Sequence, residues 1–318
     1  MRVVVIGSGL AGVTVAETLA KHEHFQVHIV TAETHGYYSR PRLSHGFSGD
    51  VRVLKSFAEL APVRVSAGAW VEGIDRKKRV VKVQDGEPLH YDILILATGS
   101  AARIPPALAP FRPQFFTLNS LDDVLTLRRR RQRALDQGRR PRWAIIGGGL
   151  IGCELASDLD KAGDAVTIFH REARLLELVF DERESQALHE HFAARGIEMR
   201  YNQDLQELFP RALYDGVIVS AGFAPRVELA RDAGLATARG IVVDPWLRTA
   251  DPAIYAVGDV AEIEGRLYPF VSPIRSQALW LAAHLAGQSK GPWAPPAFTP
   301  IVKIHGFAGR RQAAAARP

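Results

Sequence analysis

The amino-acid sequence predicts an α/β protein with two domains, each built from a parallel sheet that has helices on both faces. Length and repetition favour this class. The chain has 318 residues, more than one domain of about 100 to 200 residues needs. A pattern of strand, glycine-rich turn and helix also occurs twice along it. The composition, 47% hydrophobic and 23% charged, is typical of a globular protein.

Two glycine-rich turns with the same spacing mark the repeated units. The first consists of Gly7, Ser8, Gly9, Leu10, Ala11 and Gly12. The second consists of Gly147, Gly148, Gly149, Leu150, Ile151 and Gly152. An apolar strand precedes each turn, "RVVVI" or "RWAII", and apolar residues recur at helical spacing after it. A further strand follows each helix, at residues 27–31 and 166–170, so both units are βαβ units.

A third matching pair extends the repeat to whole domains. The segment "YDILILATGS" at residues 91–100 is similar to "YDGVIVSAGF" at residues 214–223, so each unit closes with a strand and a turn of small residues. In such units the glycines permit a tight turn, close approach of a pyrophosphate and close packing of helix on strand. The sequence therefore predicts two dinucleotide-binding sites, with Rossmann-like three-layer domains around them.

Residues beyond the two turns suggest which nucleotides bind. An acidic side chain about 20 residues past the glycines usually accepts the ribose hydroxyls. In the first unit Glu33, followed by Thr34, is the candidate, with an exposed loop glutamate as the alternative. The second unit offers His170, Arg171 and Arg174 instead, which would attract a ribose 2′-phosphate. This favours NADPH over NADH, although Gly152 is more usual in NADH sites.

Cysteine content, charge and the N-terminus exclude several classes. Cys153 is the only cysteine, so an intrachain disulfide, a redox cysteine pair and a cysteine-based metal site are excluded, and we expect no metal. The net charge is +6, with eight arginines between positions 127 and 142, which fits an acidic partner, nucleic acid, a phosphorylated ligand, or a solvated helix and linker. The first residues fit neither a signal peptide nor a membrane span, so we expect a cytoplasmic protein without membrane contact.

Four motifs in a fixed order carry a family resemblance. The segment "TADPAIYAVGDVAE" at residues 249–262 resembles the second FAD fingerprint of two-dinucleotide flavoprotein reductases, and it follows "GSGLAG", "LATGS" and "GGGLIG" in that family's order. This implies the glutathione-reductase-type fold. The segments "YYSRPRLSHGFSGD" and "TPIVKIHG" are similar to rubredoxin reductase and its relatives, the FAD-dependent NAD(P)H:acceptor reductases.

The resemblance assigns site residues along the chain. Asp259 would bind the ribityl and phosphate region of FAD, and Lys303 would lie near the isoalloxazine edge. Glu154 would meet the nicotinamide carboxamide, so Glu154 and Lys303 are the candidate catalytic residues. Helix capping by Glu154 and a surface position for Lys303 are the alternatives. The other residues that the resemblance places at the cofactors are Arg40, Pro41, Ser44, Val71, Ala97, Thr98, Gly99, Gly222, Gly258 and Pro273.

The same resemblance implies a split domain. Residues 1–104 and 227–318 would form the FAD-binding domain, with an NAD(P)H-binding domain at residues 105–226 between them. His45 stands where ferredoxin reductases of oxygenase systems carry a lysine. The family continues beyond the "VK" segment into an interface domain, whereas this sequence ends in "FAGRRQAAAARP", which we expect to be disordered. Oligomeric state stays open.

The predicted reaction is hydride transfer from NAD(P)H to FAD. Without a cysteine pair the electrons must leave to an external acceptor, and a small acidic iron protein such as rubredoxin is favoured, docking on the arginine-rich segment. Two alternatives stay open: a flavin- and nucleotide-binding redox sensor or scaffold with little turnover, and a reductase of quinones or oxygen. Nucleic-acid binding is not expected, because no aromatic residues interleave with the arginines.

Overall fold

The computed structural model describes residues 1–47, 49, 51–202, 213–299 and 301–308. The C-terminal tail for which we predicted disorder lies, from residue 309 onward, outside them. The described helices are α1 Leu10–Leu19, α2 Leu121–Asp136, α3 Leu150–Lys161, α4 Glu182–Ala194, α5 Glu228–Asp232 and α6 Val271–Leu285. The described strands are β1 Arg2–Ile6, β2 Gln26–Thr31, β3 Tyr37–Tyr38, β4 Val53–Lys55, β5 Arg64–Ala67, β6 Val71–Asp75, β7 Val80–Val83, β8 Leu89–His90, β9 Ile93–Leu96, β10 Ser100–Ala102, β11 Arg142–Ile146, β12 Ala165–His170, β13 Glu198–Tyr201, β14 Gly216–Val219, β15 Phe223–Pro225, β16 Ile241–Val243, β17 Ile254–Ala256, β18 Ala261–Ile263 and β19 Arg266–Leu267.

The first parallel sheet joins strands from both ends of the chain. Its order is β17-β9-β1-β2-β5, so a strand near residue 255 pairs beside strands from the first hundred residues. Val5 lies opposite Ile29 on one side and Ile95 on the other. Helices α1 and α6 pack on each other at this sheet, and the antiparallel sheet β6-β7-β8 adds Val81 to the same core.

The second parallel sheet repeats the arrangement with residues 142–219. Its order is β13-β12-β11-β14, and every pair in it is parallel. Along β11, Trp143 and Ile145 enter the core that contains α3 and α4, whereas Ala144 and Ile146 enter a different cluster. Side chains alternate between the two faces of a strand, so both faces of this sheet are covered. The predicted α/β class is therefore confirmed.

A short antiparallel ribbon connects the two sheets. Strand β10 follows the first sheet's β9 and pairs with β15, which follows the second sheet's β14. The chain thus leaves and re-enters the first sheet's region at one place. The boundaries 1–104, 105–226 and 227–318 agree with this layout and stay predictions. In the described part of the chain, no helix is both long and apolar enough to cross a bilayer.

Candidate active site

The two glycine-rich turns have the same geometry. A Cβ on Gly12 would stand 1.9 Å from the carbonyl oxygen of Gly7, and one on Gly152 would stand 1.9 Å from that of Gly147. Gly7 and Gly147 have φ values of 108° and 116°, which only glycine adopts without strain. The first and third glycines of each turn are therefore required by the fold itself.

The middle glycines, in contrast, face open space. An added Cβ on Gly9 or Gly149 would meet no protein atom within 4 Å. Each is the N-cap of its helix, and neither helix has a side-chain cap, so the first N–H groups of α1 and α3 are directed toward these spaces. A helix N-terminus with free N–H groups favours an anion. Both spaces are therefore candidate sites for the pyrophosphate of a dinucleotide.

The strand after each helix holds the second residue of the turn. In the first unit, Oγ of Ser8 lies 2.9 Å from Oγ1 of Thr31, which ends β2. In the second unit, the N–H of Gly148 donates to Nδ1 of His170, which ends β12, over 3.1 Å. Both contacts are buried. The duplicated units thus fix their phosphate loops from the same position with different chemistry.

Glu33, the predicted ribose acceptor of the first unit, lies beside two other polar side chains. The hydroxyl of Tyr38 donates to both of its carboxylate oxygens over 2.9 Å. Arg40 donates to Oε1 over 2.5 Å and stacks over the Tyr38 ring. Burial raises the pKa of Tyr38, so its hydroxyl keeps its proton and can act as this donor. These contacts hold the Glu33 carboxylate in one place.

Asp259, assigned to the ribityl region, is largely buried next to two arginines. Its Oδ2 accepts a hydrogen bond from Ser100 over 2.7 Å. Burial raises the pKa of Asp259, while Ser100, Arg40 and Arg226 lower it. Burial also lowers the pKa of Arg226, and the charge of Arg40 lowers it further. The charge of Arg40 thus disfavours the charged form of Arg226, and an anionic ligand near both guanidinium groups would offset this repulsion.

Helix α6 begins at Val271, so Pro273 lies in its first turn and is buried. On the same helix, Oε1 of Gln277 accepts the N–H of Gly258 over 2.7 Å, and Gly258 has a φ of 85°. Nε2 of Gln277 is buried and has no hydrogen-bond partner among the described residues. This amide ties the turn before Asp259 to α6.

Glu154 and Lys303, 149 positions apart in the chain, meet in the structure. The backbone N–H of Lys303 donates to Oε1 of Glu154 over 2.9 Å, and Nζ of Lys303 lies 3.5 Å from the carbonyl oxygen of Pro41. Burial raises the pKa of Glu154, while the N–H and the charge of Lys303 lower it. Three predicted site residues from three parts of the chain therefore form one cluster.

One helical turn beyond Glu154, Asp158 forms a second polar cluster that sequence reasoning missed. Nε2 of His305 lies 2.7 Å from Oδ1 of Asp158, and Nε2 of His45 lies 4.0 Å from Oδ2. The N–H of His305 donates to Ser157 over 2.8 Å. The Asp158 side chain is only 4% exposed, whereas both imidazoles are about one-third exposed or more. These contacts fasten the segment that carries Lys303 onto α3.

The turn that follows β9 links the two sheets. Oγ1 of Thr98 donates to the carbonyl oxygen of Arg226 over 2.9 Å, and the N–H of Arg226 donates to Gly99 over 2.9 Å. Sequence reasoning also missed Arg226 and Ser100. Ser100 directly follows the "ATG" turn and could have been found there, but nothing in the sequence brings Arg226 next to Arg40.

Other predicted cofactor residues occupy compatible positions. Gly222 has a φ of 98°, and its carbonyl oxygen accepts the N–H of Arg103 over 3.0 Å. Val71 begins β6, beside Gly68, whose N–H donates to the carbonyl oxygen of Glu33. Thr34 is exposed next to the same glycine, and Ser44 is buried. Their contacts with FAD or NAD(P)H stay predictions.

The predicted role of His170 as a cation for a 2′-phosphate stays a prediction, but the contacts of its imidazole are made within the protein. Its Nδ1 accepts the N–H of Gly148 over 3.1 Å, and its Nε2 lies 3.0 Å from Oε2 of Glu177, so both ring nitrogens already have partners. Arg174 is directed toward carbonyl oxygens and Ser185, and Arg171 pairs with Glu172. The position of a residue at the end of a predicted strand does not show whether its side chain is directed toward a ligand or into the protein.

The arginine-rich segment is also used largely by the fold. Arg131 bonds to both oxygens of Asp164, which is fully buried, and Arg140 donates to the carbonyl oxygens of Gly163 and Asp164. Arg139 pairs with Asp215 over 3.0 Å. The predicted docking surface therefore has fewer available charges than its sequence suggests.

Cys153 is a packing residue of helix α3. Its side chain is fully buried, and Sγ lies 3.3 Å from the carbonyl oxygen of Gly148, to which the thiol donates. Burial raises its pKa, with the carboxylates of Glu177 and Glu154 adding to the effect. A neutral, enclosed thiol is a poor nucleophile and a poor electron acceptor.

Comparison with known proteins shows the family of the chain. The family model described as pyridine nucleotide-disulphide oxidoreductase matches residues 1–287. The chain belongs to this family. The predicted enzyme class, an FAD-dependent NAD(P)H oxidoreductase, is thereby confirmed, although the family's name refers to a disulphide that a chain with one cysteine cannot form within itself.

Individual relatives cover most of the chain. The Nitric oxide reductase FlRd-NAD(+) reductase of Salmonella gallinarum is 36% identical over 339 residues, spanning 98% of this chain and 86% of the relative. Putidaredoxin reductase, in its covalent complex with putidaredoxin, has a TM-score of 0.81 and 29% identity, covering 95% of this chain and 79% of that chain. NADH:rubredoxin oxidoreductase from Clostridium acetobutylicum has a TM-score of 0.83, covering 96% and 80%, and at 24% identity it shows the fold.

Proposed function

We propose that this protein is a flavoprotein reductase that takes hydride from NAD(P)H onto FAD and passes electrons to a small iron protein of the rubredoxin type. The observation that carries the proposal is the meeting of Glu154, Lys303 and Pro41. Glu154 is on the helix that leaves the second glycine turn, whereas Pro41 belongs to the region of the first. Residues that follow each of the two glycine-rich turns thus converge at one place, which supports two dinucleotides meeting there.

The residues around the first turn would hold FAD. Gly9 and the N-terminus of α1 would receive the pyrophosphate, Glu33 the adenosine ribose, and Asp259 with Ser100 the ribityl region. Arg40 and Arg226 would balance the phosphate charge. When bound, FAD accepts hydride from a nicotinamide and releases electrons singly, which allows a one-electron acceptor.

The chain's own residues contribute binding and orientation. Gly149 and α3 would hold the nicotinamide nucleotide by its pyrophosphate, and Glu154, one turn into that helix, would accept the carboxamide N–H. The bond from Lys303 N–H fixes the rotamer of Glu154 before substrate arrives. Placing two rings in contact is the main requirement for hydride transfer. No acid, base or nucleophile of the protein is required.

An external acceptor follows from the state of Cys153. The only thiol of the chain is enclosed and donates to Gly148, so electrons have no cysteine pair to enter. Relatives that match nearly the full chain include a protein named Nitric oxide reductase FlRd-NAD(+) reductase and a reductase solved with putidaredoxin. These support an iron protein as acceptor. We include a cytoplasmic location in the proposal, since the electron donor is a cytoplasmic coenzyme.

Anaerobic titration of the purified protein tests the proposal. We expect about one FAD per chain, bleaching of its absorbance by NAD(P)H, and return of the absorbance when oxidised rubredoxin is added. If the reduced protein is reoxidised rapidly by quinone or oxygen but by no iron protein, the acceptor is a small molecule and the iron-protein part of the proposal is refuted. Binding of both nucleotides without bleaching would indicate a sensor or scaffold and refute the reductase.

A further inference from the structure

The second dinucleotide site lacks an acid where the strand β12 ends. His170 occupies that position, and its imidazole is directed inward, with Nδ1 accepting the N–H of Gly148. In the first unit the equivalent position is Thr31, and the acid Glu33 follows it two residues later. In the second unit that place is taken by Glu172, which pairs with the exposed Arg171. The ribose acceptor must come from elsewhere or be absent.

Glu177 lies beside the same phosphate loop through two contacts. Its neighbour Leu176, which has a φ of 54°, donates its N–H to the carbonyl oxygen of Gly148 over 2.9 Å. Its own Oε2 lies 3.0 Å from Nε2 of His170. The peptide of Gly148 is thus held at its N–H by His170 and at its carbonyl by Leu176 and the thiol of Cys153. The loop and Glu177 form one connected unit.

The Glu177 carboxylate keeps free acceptor capacity. Since Nδ1 of His170 is an acceptor, its Nε2 carries the proton and donates to Oε2 of Glu177. Oε1 has no hydrogen bond within the described part of the chain, and the side chain is 25% exposed. A carboxylate with one oxygen fixed and one oxygen available is suited to accept a hydroxyl.

The cations near Glu177 do not neutralise this carboxylate. The guanidinium of Arg174 donates to the backbone oxygens of Glu177 and Phe180 and to Oγ of Ser185. Arg171 pairs with Glu172 and is 87% exposed. A 2′-phosphate placed here would therefore meet the negative charge of Glu177 with no free guanidinium fixed opposite it.

We propose that Glu177, oriented by His170, accepts the adenosine ribose hydroxyls of the nicotinamide nucleotide and makes the protein select NADH over NADPH. The proposal rests on the proposed function, because it concerns the donor of the same reaction. It reverses the preference for NADPH that the basic residues of the sequence suggest. Loss of a charge-assisted hydrogen bond is expected to weaken binding of a 2′-hydroxyl nucleotide about tenfold or more.

Calorimetric titration of the FAD-loaded protein with ADP-ribose and 2′-phospho-ADP-ribose tests this assignment without turnover. We expect the wild type to bind ADP-ribose at least tenfold more tightly. Glu177→Gln keeps an oxygen for the His170 N–H but removes the charge, so the ratio of the two affinities should fall about tenfold. Glu172→Gln, five residues away and paired with exposed Arg171, is the matched control and should keep the wild-type ratio.

Three outcomes separate this assignment from the function itself. An unchanged ratio in Glu177→Gln, or tighter binding of the 2′-phosphate by the wild type, overturns the role of Glu177. Should Glu177→Gln fail to bind FAD, the wild type and the conservative Glu177→Asp variant decide. The assignment then requires that the affinity ratio of Glu177→Asp lie between the wild-type ratio and one, the value for equal binding of the two ligands. If neither NADH nor NADPH bleaches the flavin although ADP-ribose binds, the reductase function fails and the ribose site stands.

Discussion

The backbone N–H of Lys303 donates to Oε1 of Glu154 over 2.9 Å, joining the C-terminal segment to the helix of the second glycine turn. The contact uses the main chain of Lys303, so its ammonium is left to reach toward the carbonyl oxygen of Pro41 at 3.5 Å. Each residue therefore has two separable functions. Glu154 fixes the segment through Oε1 and, in the proposed function, would offer its second oxygen to the nicotinamide, while the Lys303 side chain would bring a positive charge near the first site.

Replacing Glu154 by Gln should slow flavin reduction with little effect on folding. Gln keeps an oxygen for the Lys303 N–H but exchanges the carboxylate for an amide, which weakens acceptance of a carboxamide N–H. A hydrogen bond to a charged group contributes about 1.5–3 kcal/mol, so the rate constant should fall about tenfold or more. Stopped-flow bleaching of the flavin measures it. Lys303→Met keeps the backbone N–H that bonds to Glu154, so it is the control for the position of the C-terminal segment. An unchanged rate constant in Glu154→Gln would contradict the assignment of Glu154 to the carboxamide.

The glycines of the first turn should divide into two classes on substitution. Gly12→Ala places a Cβ 1.9 Å from the carbonyl oxygen of Gly7, so we expect a loss of about 1–3 kcal/mol or more in unfolding free energy. Gly9→Ala meets no protein atom within 4 Å and should unfold near wild type while FAD binding weakens. Urea unfolding of the FAD-free protein and FAD titration separate the two effects. Equal FAD affinity for Gly9→Ala and wild type would show that the space is not the pyrophosphate site.

Periodicity and turns made the fold predictable from sequence. The helices α1 and α3 begin at Leu10 and Leu150, directly after the glycines that the spacing identified. The residues of a βαβ unit are close in sequence, so their pattern records their structure. The return of β17 to the first sheet followed from the family's motif order rather than from local pattern, because no local signal records a pairing between residues 160 positions apart.

Side-chain direction made the site only partly predictable. Glu154 and Lys303 were placed by motif, and they meet. His170 was placed correctly at the end of β12, but its ring turns toward Gly148, which sequence cannot record. The cluster of Asp158 with His305 depends on how the C-terminal segment crosses α3, a contact between positions 147 apart. The number of arginines in the segment suggested a charged docking surface, but the sequence does not show that Arg131 pairs with the buried Asp164.

Asp259→Asn should increase the stability of the FAD-free protein and decrease its FAD affinity. Burial raises the pKa of Asp259 above its unfolded value of about 3.9, so the folded state binds more protons and loses stability as pH rises from that value through the raised pKa. Asn removes this loss. Urea midpoints at pH 4 and pH 7 should therefore diverge less for the variant, while FAD binding at pH 7 weakens about tenfold or more. A variant less stable than wild type at pH 7 would contradict this account.

Cys153 should be inert in the folded protein. The thiol is fully buried, its pKa is raised by burial, and it donates to Gly148. We expect no reaction with an aromatic disulfide reagent before unfolding and one equivalent after it. Cys153→Ser keeps a donor for Gly148 and should change the rate of flavin reduction by less than about tenfold, or 1.4 kcal/mol of barrier. Rapid labelling of the native protein would show that the segment around Gly148 opens.

Replacing Arg131 by Gln should lower the free energy of unfolding much more than replacing Arg129 by Gln. Neither substitution should change the salt dependence of electron transfer to the iron-protein carrier. Arg131 bonds to both oxygens of Asp164, whose side chain is fully buried and also accepts the indole N–H of Trp143 over 2.9 Å. Arg131→Gln should cost about 3 kcal/mol, the lower end of the range for breaking a buried pair, because the Trp143 hydrogen bond is retained. Arg129 is exposed and bonds to Thr126 on its own helix, so Arg129→Gln should change stability by less than about 0.5 kcal/mol.

For the carrier, kcat/KM should decrease as ionic strength rises toward about 0.15 M, since docking of an acidic protein is screened over a Debye length of about 8 Å. Because Arg131, Arg139 and Arg140 are bound within the fold, and Arg129 bonds to Thr126 on its own helix, we expect this salt dependence to remain in Arg129→Gln and in whatever fraction of Arg131→Gln stays folded. The docking charges then lie elsewhere, and the exposed Lys303 beside Pro41 is the first to test. Flattening of the salt dependence in Arg129→Gln, with Lys303→Met unaffected, would return the docking surface to the arginine-rich helix.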